Sequence, residues 1–250
     1  MDKMKSLRKA FEILELFLEV KSEELRLAEI AKLSGLNIST ANRIASVLVE
    51  LGYLGQTEKR GKYSIGKKFL YFDRILSKKN TFIDLVRPYL LRLNESTGET
   101  VNLVNFDGKR VYYIETIMSK HALNIRPDTI AITPLYCTGV GKIFLAAMTE
   151  PELNEYFKNA DIKAYTPNTI TDIDLLKEHL KRVAREGVAY DDEELMPGVR
   201  NIAAGIKDSQ GKTFSCIGLL GPAIRLTRPK MEEIAAELKQ YTSIITSEIG

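Results

Sequence analysis

The sequence predicts an α+β protein with an N-terminal winged helix-turn-helix domain, a linker helix and a larger C-terminal α+β domain. The first observation is residues 27–66, which read as two short helices around a turn at Gly35, followed by two short strands with a basic tip. The second is the region after residue 100, where the apolar period changes from that of a helix to that of a strand. Helices and mostly antiparallel strands then alternate to the end of the chain.

The second helix of residues 27–66 is the centre of the first domain. Four apolar residues recur at helical spacing and predict a stripe that faces a core: Ala41, Ile44, Leu48 and Leu51. The opposite stripe carries small hydrogen-bonding side chains and one arginine: Ser39, Asn42, Arg43 and Ser46. Asn37 is placed to cap the helix, which puts Ser39 and Thr40 beside the positive end of its dipole. Such a face favours a polyanion, and we expect it to contact double-stranded DNA.

The two strands after this helix predict a wing. Their hairpin tip is basic, and we expect Lys59, Arg60 and Lys62 to contact backbone phosphates, which position a protein on DNA without reading its sequence. The alternative is a small helical packing module with a soluble hairpin. The predicted domain boundaries are 1–66 for the winged helix, 67–80 for the linker helix and 81–250 for the second domain.

Charge is divided unevenly between the two ends of the chain. Residues 1–79 carry 16 Lys+Arg and 10 Asp+Glu, a net charge of +6, whereas residues 80–250 carry 20 and 23, a net charge of −3. This division indicates nucleic acid at one end and a different ligand at the other. No apolar run approaches the roughly 20 residues that a membrane-spanning helix needs, and the N-terminus does not resemble a signal peptide. We therefore expect a soluble, cytoplasmic protein with no membrane partner.

The linker helix at residues 67–80 shows more apolar surface than one domain needs, which favours pairing with another subunit. Beyond it, the expected elements of the second domain follow in order. They are a helix from Thr81 that ends at Gly98, a hairpin of residues 100–106 and 110–114, a strand at 130–135, helices at 151–158 and 172–186, strands at 188–190, 199–206 and 214–220, and a helix after Thr227.

No cofactor or metal centre is indicated. Cys137 and Cys216 lie far apart without a CxxC motif, and we expect buried free thiols. His121 and His179 have no neighbour at metal-ligand spacing. Residues 191–194, Asp-Asp-Glu-Glu, have the chemistry for a cation or for acid–base catalysis, but such a run at a strand end is most often a solvated turn.

The segment Thr138-Gly-Val-Gly-Lys fails as a phosphate loop, because Tyr136 stands where a glycine is needed and Ile143 stands where Ser or Thr is needed. What remains is a glycine-rich turn that opens a helix, where bare N–H groups can receive the carboxylate of a small ligand. A tight turn with close packing fits the same residues equally well.

Several segments together resemble the IclR family of prokaryotic transcription regulators, and the resemblance covers nearly the whole chain. They are residues 39–43 (STANR), 133–142 (TPLYCTGVGK), 190–204 (YDDEELMPGVRNIAA) and 218–222 (GLLGP). The family implies a GAF-like effector domain, dimers or dimers of dimers, and operators that control catabolic genes. With the glycine-rich turn, the expected effector-binding residues are Thr138, Gly139, Val140, Gly141, Asp191, Asn201, Gly218 and Leu220.

Three of these positions depart from the family pattern. Family members commonly place Cys at the position of Asn201 and Ser at those of Gly218 and Leu220. The loss of two hydroxyls favours an acid with an apolar or aromatic body over a small hydroxy- or oxo-acid. We expect a hydroxylated aromatic or sugar-derived acid.

The leading hypothesis is therefore a sequence-specific DNA-binding transcription regulator, without enzymatic activity, whose operator binding responds to a small organic acid. Two alternatives remain. One is an enzyme fused to a nucleic-acid-binding module, which the absence of a nucleophile, metal or cofactor motif disfavours. The other is a GAF-type interaction domain that binds no ligand.

Overall fold

The computed structural model describes residues 3–20, 22–57, 61–77, 81–108, 110–127, 130–131 and 134–249. The chain divides into two compact units, residues 1–80 and 81–250. The first contains α1 Lys3–Glu19, β1 Glu24–Arg26, α2 Leu27–Leu33, α3 Ile38–Glu50, β2 Leu54–Thr57, β3 Lys62–Ile65 and α4 Lys68–Ser77. The second contains α5 Thr81–Thr97, β4 Thr100–Phe106, β5 Val111–Ile117, β6 Ile130–Ala131, a 3₁₀ turn Leu135–Cys137, α6 Gly139–Ala146, α7 Glu150–Asn159, α8 Ile173–Glu186, β7 Val188–Asp192, β8 Val199–Lys207, β9 Thr213–Pro222 and α9 Arg228–Ile249. The predicted α+β class is confirmed.

Three helices and a small sheet share the core of the first unit. Ile13 of α1, Ile30 of α2 and Ala41 of α3 are fully buried in one cluster. The sheet has the order β1-β3-β2, so a third strand joins the predicted hairpin. Sequence patterning missed β1 because its three residues contain a single apolar side chain, Leu25, which pairs with the buried Tyr63.

Two glycines allow the chain to turn closely between α3 and α4. Gly52 has φ +79°, a conformation that side chains disfavour. A Cβ atom on Gly66 would lie 2.1 Å from the carbonyl oxygen of Gly52, so no side chain fits at Gly66. Lys68 then donates from Nζ to the carbonyl of Leu51 at 3.1 Å, near the end of α3. The first turns of α4 are thereby attached to the end of α3.

The second unit is built on a six-stranded antiparallel sheet of order β6-β5-β4-β9-β8-β7. Its two faces bury different helices, because side chains alternate along each strand. One face packs on α5 and α9 and includes Ile202 and Leu219. The other packs on α6, α7 and α8 and includes Ala203 and Cys216. The second face carries the predicted effector residues of β7, β8 and β9.

Most predicted elements of the second unit form near their expected bounds, with one difference. Within the strand expected at 130–135, the described residues Ile130–Ala131 form β6, whereas Leu135 begins a 3₁₀ turn after Pro134. Cys137 and Cys216 are buried free thiols, as predicted. Across the described ranges, no helix has the length and apolar character needed to cross a membrane.

Candidate functional site

The exposed face of α3 is the candidate nucleic-acid interface. Its polar side chains are all exposed: Ser39, Asn42, Arg43 and Ser46. The opposite side is buried through Ala41, Ala45 and Leu48, whereas Ile44 is half-buried and Leu51 is 49% exposed. The buried stripe is therefore formed by Ala41, Ala45 and Leu48, because residues three and four apart share a helix face.

The start of α3 has the predicted cap. The side-chain oxygen of Asn37 accepts a hydrogen bond from the N–H of Thr40 at 2.8 Å. This bond satisfies one of the unpaired N–H groups of the first turn and fixes its direction. Ser39 is consequently held at the positive end of the helix dipole, exposed to solvent.

A hydrogen-bonded chain links the hairpin to the polar face of α3. Gln56 on β2 donates to the Tyr63 hydroxyl at 3.4 Å, and that hydroxyl donates to the Asn42 side-chain oxygen at 3.4 Å. Tyr63 is 2% exposed, so its ring is part of the core while its hydroxyl reaches the interface. Sequence reasoning missed Gln56 and Tyr63 as interface residues, because nothing in their spacing connects them with α3.

The predicted basic tip is only partly placed. Lys59 and Arg60 lie outside the described residues. Lys62 lies on β3, where its Nζ is 2.7 Å from the Glu24 carboxylate of β1. Lys62 therefore supports the sheet, and a phosphate would have to compete with Glu24 for its charge.

The candidate effector site lies where the N-terminus of α6 meets β8 and β9. Thr138 caps α6, and its hydroxyl oxygen accepts the N–H of Gly141 at 3.0 Å. The Asn201 side chain bridges the two elements: its oxygen accepts the N–H of Val140 at 3.3 Å, and its nitrogen donates to the Leu219 carbonyl at 3.1 Å. Two N–H groups expected to receive a ligand carboxylate thus already bind protein side chains.

Close packing also occupies the space beside the two glycines of this site. A Cβ atom on Gly139 would lie 2.3 Å from the Asn201 side-chain oxygen. A Cβ atom on Gly218 would lie 2.8 Å from a methyl carbon of Val140. The absence of a side chain at Gly218 therefore makes room for Val140 at that point. Leu220 lies two residues further along β9, on the same face and half-buried.

The acidic run of residues 191–194 begins within β7 and is not a solvated turn, contrary to expectation. Asp191 is 3% exposed and Glu194 is 6% exposed. Asp191 accepts the N–H of Glu194 at 2.8 Å. Glu194 forms an ion pair with Lys142 of α6, which is fully buried and also donates to the Tyr190 carbonyl at 2.9 Å. Sequence reasoning did not detect this pair because 52 residues separate its partners.

Burial changes the ionisation of this cluster. It raises the pKa of Asp191 to about 7, an effect that the nearby Glu194 charge increases and that Lys142 and the Glu194 N–H oppose. Burial also raises the pKa of Glu194, against the opposing charge of Lys142. The Cys137 thiol beside these carboxyls has its pKa raised to about 12 by burial, so it is neutral.

One further polar residue of the site was not predicted. Asn102 of β4 pairs with Gly218 across the sheet and is 1% exposed. Its side-chain oxygen accepts the Thr116 hydroxyl at 3.0 Å. The signal was available in the alternation of Thr100-Val101-Asn102-Leu103, which places polar groups on the α6 face of a buried strand.

A cleft of about 1070 Å³ lies elsewhere in the second unit, between α7 and the hairpin ends, and none of the predicted effector residues lines it. Its lining includes the aromatic side chains of Phe106, Phe144 and Tyr156 and the charged side chains of Glu152, Asp208 and Lys212. In the described part of the chain, no three His, Cys, Asp or Glu side chains are grouped to hold a metal ion.

Comparison with known proteins agrees with both units. The family described as IclR helix-turn-helix domain matches residues 6–58, and the family described as bacterial transcriptional regulator IclR C-terminal matches residues 75–247. The transcriptional repressor IclR of Escherichia coli (strain K12) is 28% identical over 250 residues, covering 99% of this chain and 90% of the relative. The regulator KdgR of the same organism is 28% identical over 253 residues, covering 100% and 94%.

Solved structures show the same fold. The crystal structure of the Thermotoga maritima IclR is 30% identical, with a TM-score of 0.69 and 99% coverage of both chains. An IclR homologue from Microbacterium hydrocarbonoxydans, crystallised with 4-hydroxybenzoate, is 20% identical, with a TM-score of 0.81 and 98% coverage of both chains.

A winged helix with an exposed polar recognition face, followed by a separate α+β domain, defines a transcription regulator with a C-terminal effector domain. The chain belongs to the IclR family of bacterial transcriptional regulators. Its relatives are regulators and not enzymes, as the sequence predicts.

Proposed function

We propose that this regulator binds an operator through α3 and that a small organic acid, bound between α6 and the sheet of the second unit, modulates its DNA affinity. The observation that carries the proposal is the polar face of α3. Its side chains are exposed and suited to base edges, and its first acidic residue is Glu50, at the far end of the helix. An ordinary solvated face has no reason to avoid acids, whereas a face that meets DNA does.

On this proposal, the residues of the interface divide by role. Arg43 reads a guanine edge, because a guanidinium donates two hydrogen bonds to the major-groove acceptors of that base. Asn42 is oriented by the Tyr63 hydroxyl and reads a neighbouring base. Asn37, Ser39, Thr40 and Ser46 contact phosphates or base edges near the helix start. Lys59, Arg60 and Lys62 contact phosphates and position the wing.

The effector proposal concerns eight residues, which are Thr138, Gly139, Val140, Gly141, Asp191, Asn201, Gly218 and Leu220. Its support is that the last four lie on one face of the sheet, beside the N-terminus of α6, which carries the first four. The homologue that binds 4-hydroxybenzoate shares the fold and supports an acid with an aromatic body. On this proposal the ligand carboxylate replaces the Asn201 amide oxygen on the N–H of Val140, because a charge-assisted hydrogen bond is about twice as strong as a neutral one.

We also propose that the regulator acts as a homodimer, or as a dimer of dimers. Three side chains of α4 are more than half exposed: Leu70 at 67%, Tyr71 at 69% and Ile75 at 60%. Contiguous apolar exposure of this kind marks an association surface. Two-fold symmetry then implies a pseudo-palindromic operator with two half-sites.

The test of DNA recognition is a gel-shift titration of the full chain against the DNA upstream of its own gene, with random DNA of equal length at the same salt concentration. We expect tighter binding to the upstream DNA, typically by about a thousandfold or more. Equal affinity for both DNAs would contradict the proposed operator recognition.

A GAF-type interaction domain that binds no ligand is a second candidate for the second unit. The observation in its favour is that Asn201 and Thr138 already occupy the N–H groups of Val140 and Gly141. A thermal-shift screen with carboxylic acids separates the two. A ligand at 100 times its dissociation constant stabilises the folded state by roughly 2.7 kcal/mol, so a screen without any shift favours the interaction domain.

A further inference from the structure

We propose that Asp191 binds the effector as a neutral carboxylic acid that donates its proton to the ligand carboxylate, because the buried ammonium group of Lys142 is committed to Glu194. The inference rests on the proposed effector site and names the chemistry by which that site recognises an acid. It also implies that the effector is bound together with a proton.

The contacts of Lys142 are the first step. Its side chain has no solvent exposure, and its Nζ forms an ion pair with Glu194 and a hydrogen bond to the Tyr190 carbonyl at 2.9 Å. Both contacts place the ammonium group of Lys142 beside the C-terminal half of β7. Glu194 is therefore the carboxylate that this cation neutralises, although one of its oxygens, Oε2, is buried without a hydrogen-bond partner.

The second step is the count of charge around Asp191. The groups that face it are Glu194 from the loop after β7, Lys142 from α6, the Cys137 thiol from the 3₁₀ turn and the uncharged Asn201 from β8. Two carboxyl groups thus share one cation in a region where Asp191 is 3% exposed. A second carboxylate there would be a buried charge without a counter-ion, which is costly, so Asp191 keeps its proton.

The third step is the geometry of Asp191 itself. Its Oδ1 accepts the N–H of Glu194 at 2.8 Å, and the backbone N–H of Leu195 also bonds the carboxyl group; both bonds favour the ionised form but are outweighed by burial. We place the proton on Oδ2, the oxygen that does not bond Glu194. Asp191 lies opposite Asn201 on the sheet, and Asn201 contacts the N–H of Val140. A ligand carboxylate between them would bring a second negative charge, which charge-assisted hydrogen bonds from the Asp191 hydroxyl and the N–H of Val140 would have to stabilise. An ionised Asp191 would instead repel it.

The proton gives the proposal a measurable signature. A carboxylate beside Asp191 further raises the pKa of Asp191, so the bound state holds the proton to higher pH than the free state. Affinity for the acid should then fall by about tenfold for each pH unit above the pKa of free Asp191, which is about 7.

The first experiment needs no ligand. Infrared difference spectra between the full-length protein and its Asp191→Asn variant should show the carbonyl stretch of one protonated carboxyl group well below pH 7, and its loss well above pH 7. Asp192→Asn is the matched control, because Asp192 is the adjacent aspartate but pairs with Arg200 and Arg228. If Asp191 is ionised well below pH 7, the proposal is overturned.

The second experiment follows thermal stability and binding heat with acetate, benzoate and 4-hydroxybenzoate, using 4-hydroxybenzamide as the neutral probe. At a pH above 7, where free Asp191 is largely ionised, we expect an acid to bind with uptake of a proton in buffers of different ionisation heat, and Asp191→Asn to remove both the uptake and the pH dependence. Glu194→Gln should weaken acid binding, because Lys142 then becomes free to pair with an ionised Asp191. Acid binding above pH 7 without proton uptake would overturn the proposal, as would the lack of any shift with all three acids.

These failures differ from a failure of the proposed function. If operator binding persists while no acid binds, only the effector chemistry is wrong. If the protein does not distinguish its upstream DNA from random DNA, operator recognition is wrong, whatever Asp191 does.

Discussion

At the residue scale, the contacts on either side of Arg43 hold the helix that carries it. Its own side chain is exposed, but its helix is capped by Asn37 at one end and held at the other by Lys68, which bonds to the carbonyl of Leu51. Asn42 beside it is bonded to Tyr63 of the hairpin. These contacts fix the backbone from which the Arg43 side chain extends.

Replacement of Arg43 by alanine should reduce affinity for the operator by about 1–3 kcal/mol, the value of a bidentate base contact. Affinity for random DNA should change much less, because that binding depends on phosphates. Gel-shift titrations of both DNAs at one salt concentration measure the difference. An equal loss on both DNAs would show that Arg43 contacts only the backbone.

Asp191 makes a second prediction at this scale, which concerns the pH dependence of folding. An unfolded aspartate has a pKa of about 3.9, and burial raises the folded value to about 7. The folded state therefore binds the proton more tightly, so the stabilisation is complete below pH 4 and is lost as pH rises through about 7. Urea unfolding of Asp191→Asn should lack this decline, and an unchanged pH profile in that variant would refute the assignment.

At the element scale, α6 is attached to the sheet by polar contacts as well as by its apolar side chains. Asn201 bonds the N–H of Val140 in its first turn, and Lys142, two residues further along, bonds the Tyr190 carbonyl of β7. Gly139 allows this approach to the sheet, since a Cβ atom there would lie 2.3 Å from the Asn201 side-chain oxygen. Gly141 allows the 3₁₀ turn to approach α6, because a Cβ atom there would lie 2.2 Å from the Leu135 carbonyl oxygen, a backbone atom that cannot move aside as a flexible side chain can.

Removal of the charge of Lys142 should therefore lower the free energy of unfolding much more than removal of the charge of a surface lysine. Lys142→Met leaves Glu194 as a buried carboxylate without its cation, which typically costs about 3–5 kcal/mol. Lys181→Met is the matched control, since Lys181 pairs with Glu178 on the exposed face of α8. We expect urea midpoints to fall strongly for the first variant and hardly at all for the second. Comparable shifts would mean that the buried pair contributes no more than a surface pair.

At the scale of the whole molecule, the proposed self-association through α4 would determine how the regulator binds DNA. A single winged helix offers few base contacts, whereas two related by a two-fold axis double them. A charged residue in the apolar face of α4 should therefore weaken both dimer formation and operator binding, because it would have to be buried without a partner.

We expect Tyr71→Glu and Ile75→Glu to be monomeric in sedimentation velocity at micromolar concentration, while the unaltered protein is a dimer or larger. Leu123→Glu is the control, since Leu123 is 63% exposed but lies in the second unit. A dimer that persists in both α4 variants, or an unaltered protein that is monomeric with and without DNA, would contradict the assignment of this surface.

The sequence by itself determined the features that depend on local spacing. The α+β class, the polar face of α3, the Asn37 cap and most helices and strands follow from periods and turn residues within a few positions of each other. Family membership followed from motifs that are continuous in the chain. The missed elements are those whose local signal is weak, such as β1, which is defined by its pairing with β3.

Only the tertiary structure decided which of these residues act together. Asp191 and Glu194 belong to a run expected to form a solvated turn, but Lys142, 52 residues before Glu194, forms a buried ion pair with Glu194, and Asp191 is buried beside that pair. The contacts of two other residues likewise depend on partners from other elements: Asn201 bonds Val140, and Tyr63 bonds Asn42. Side-chain periodicity records which face of an element is buried, but the ionisation and direction of a buried polar group depend on what lies opposite, which only folding determines.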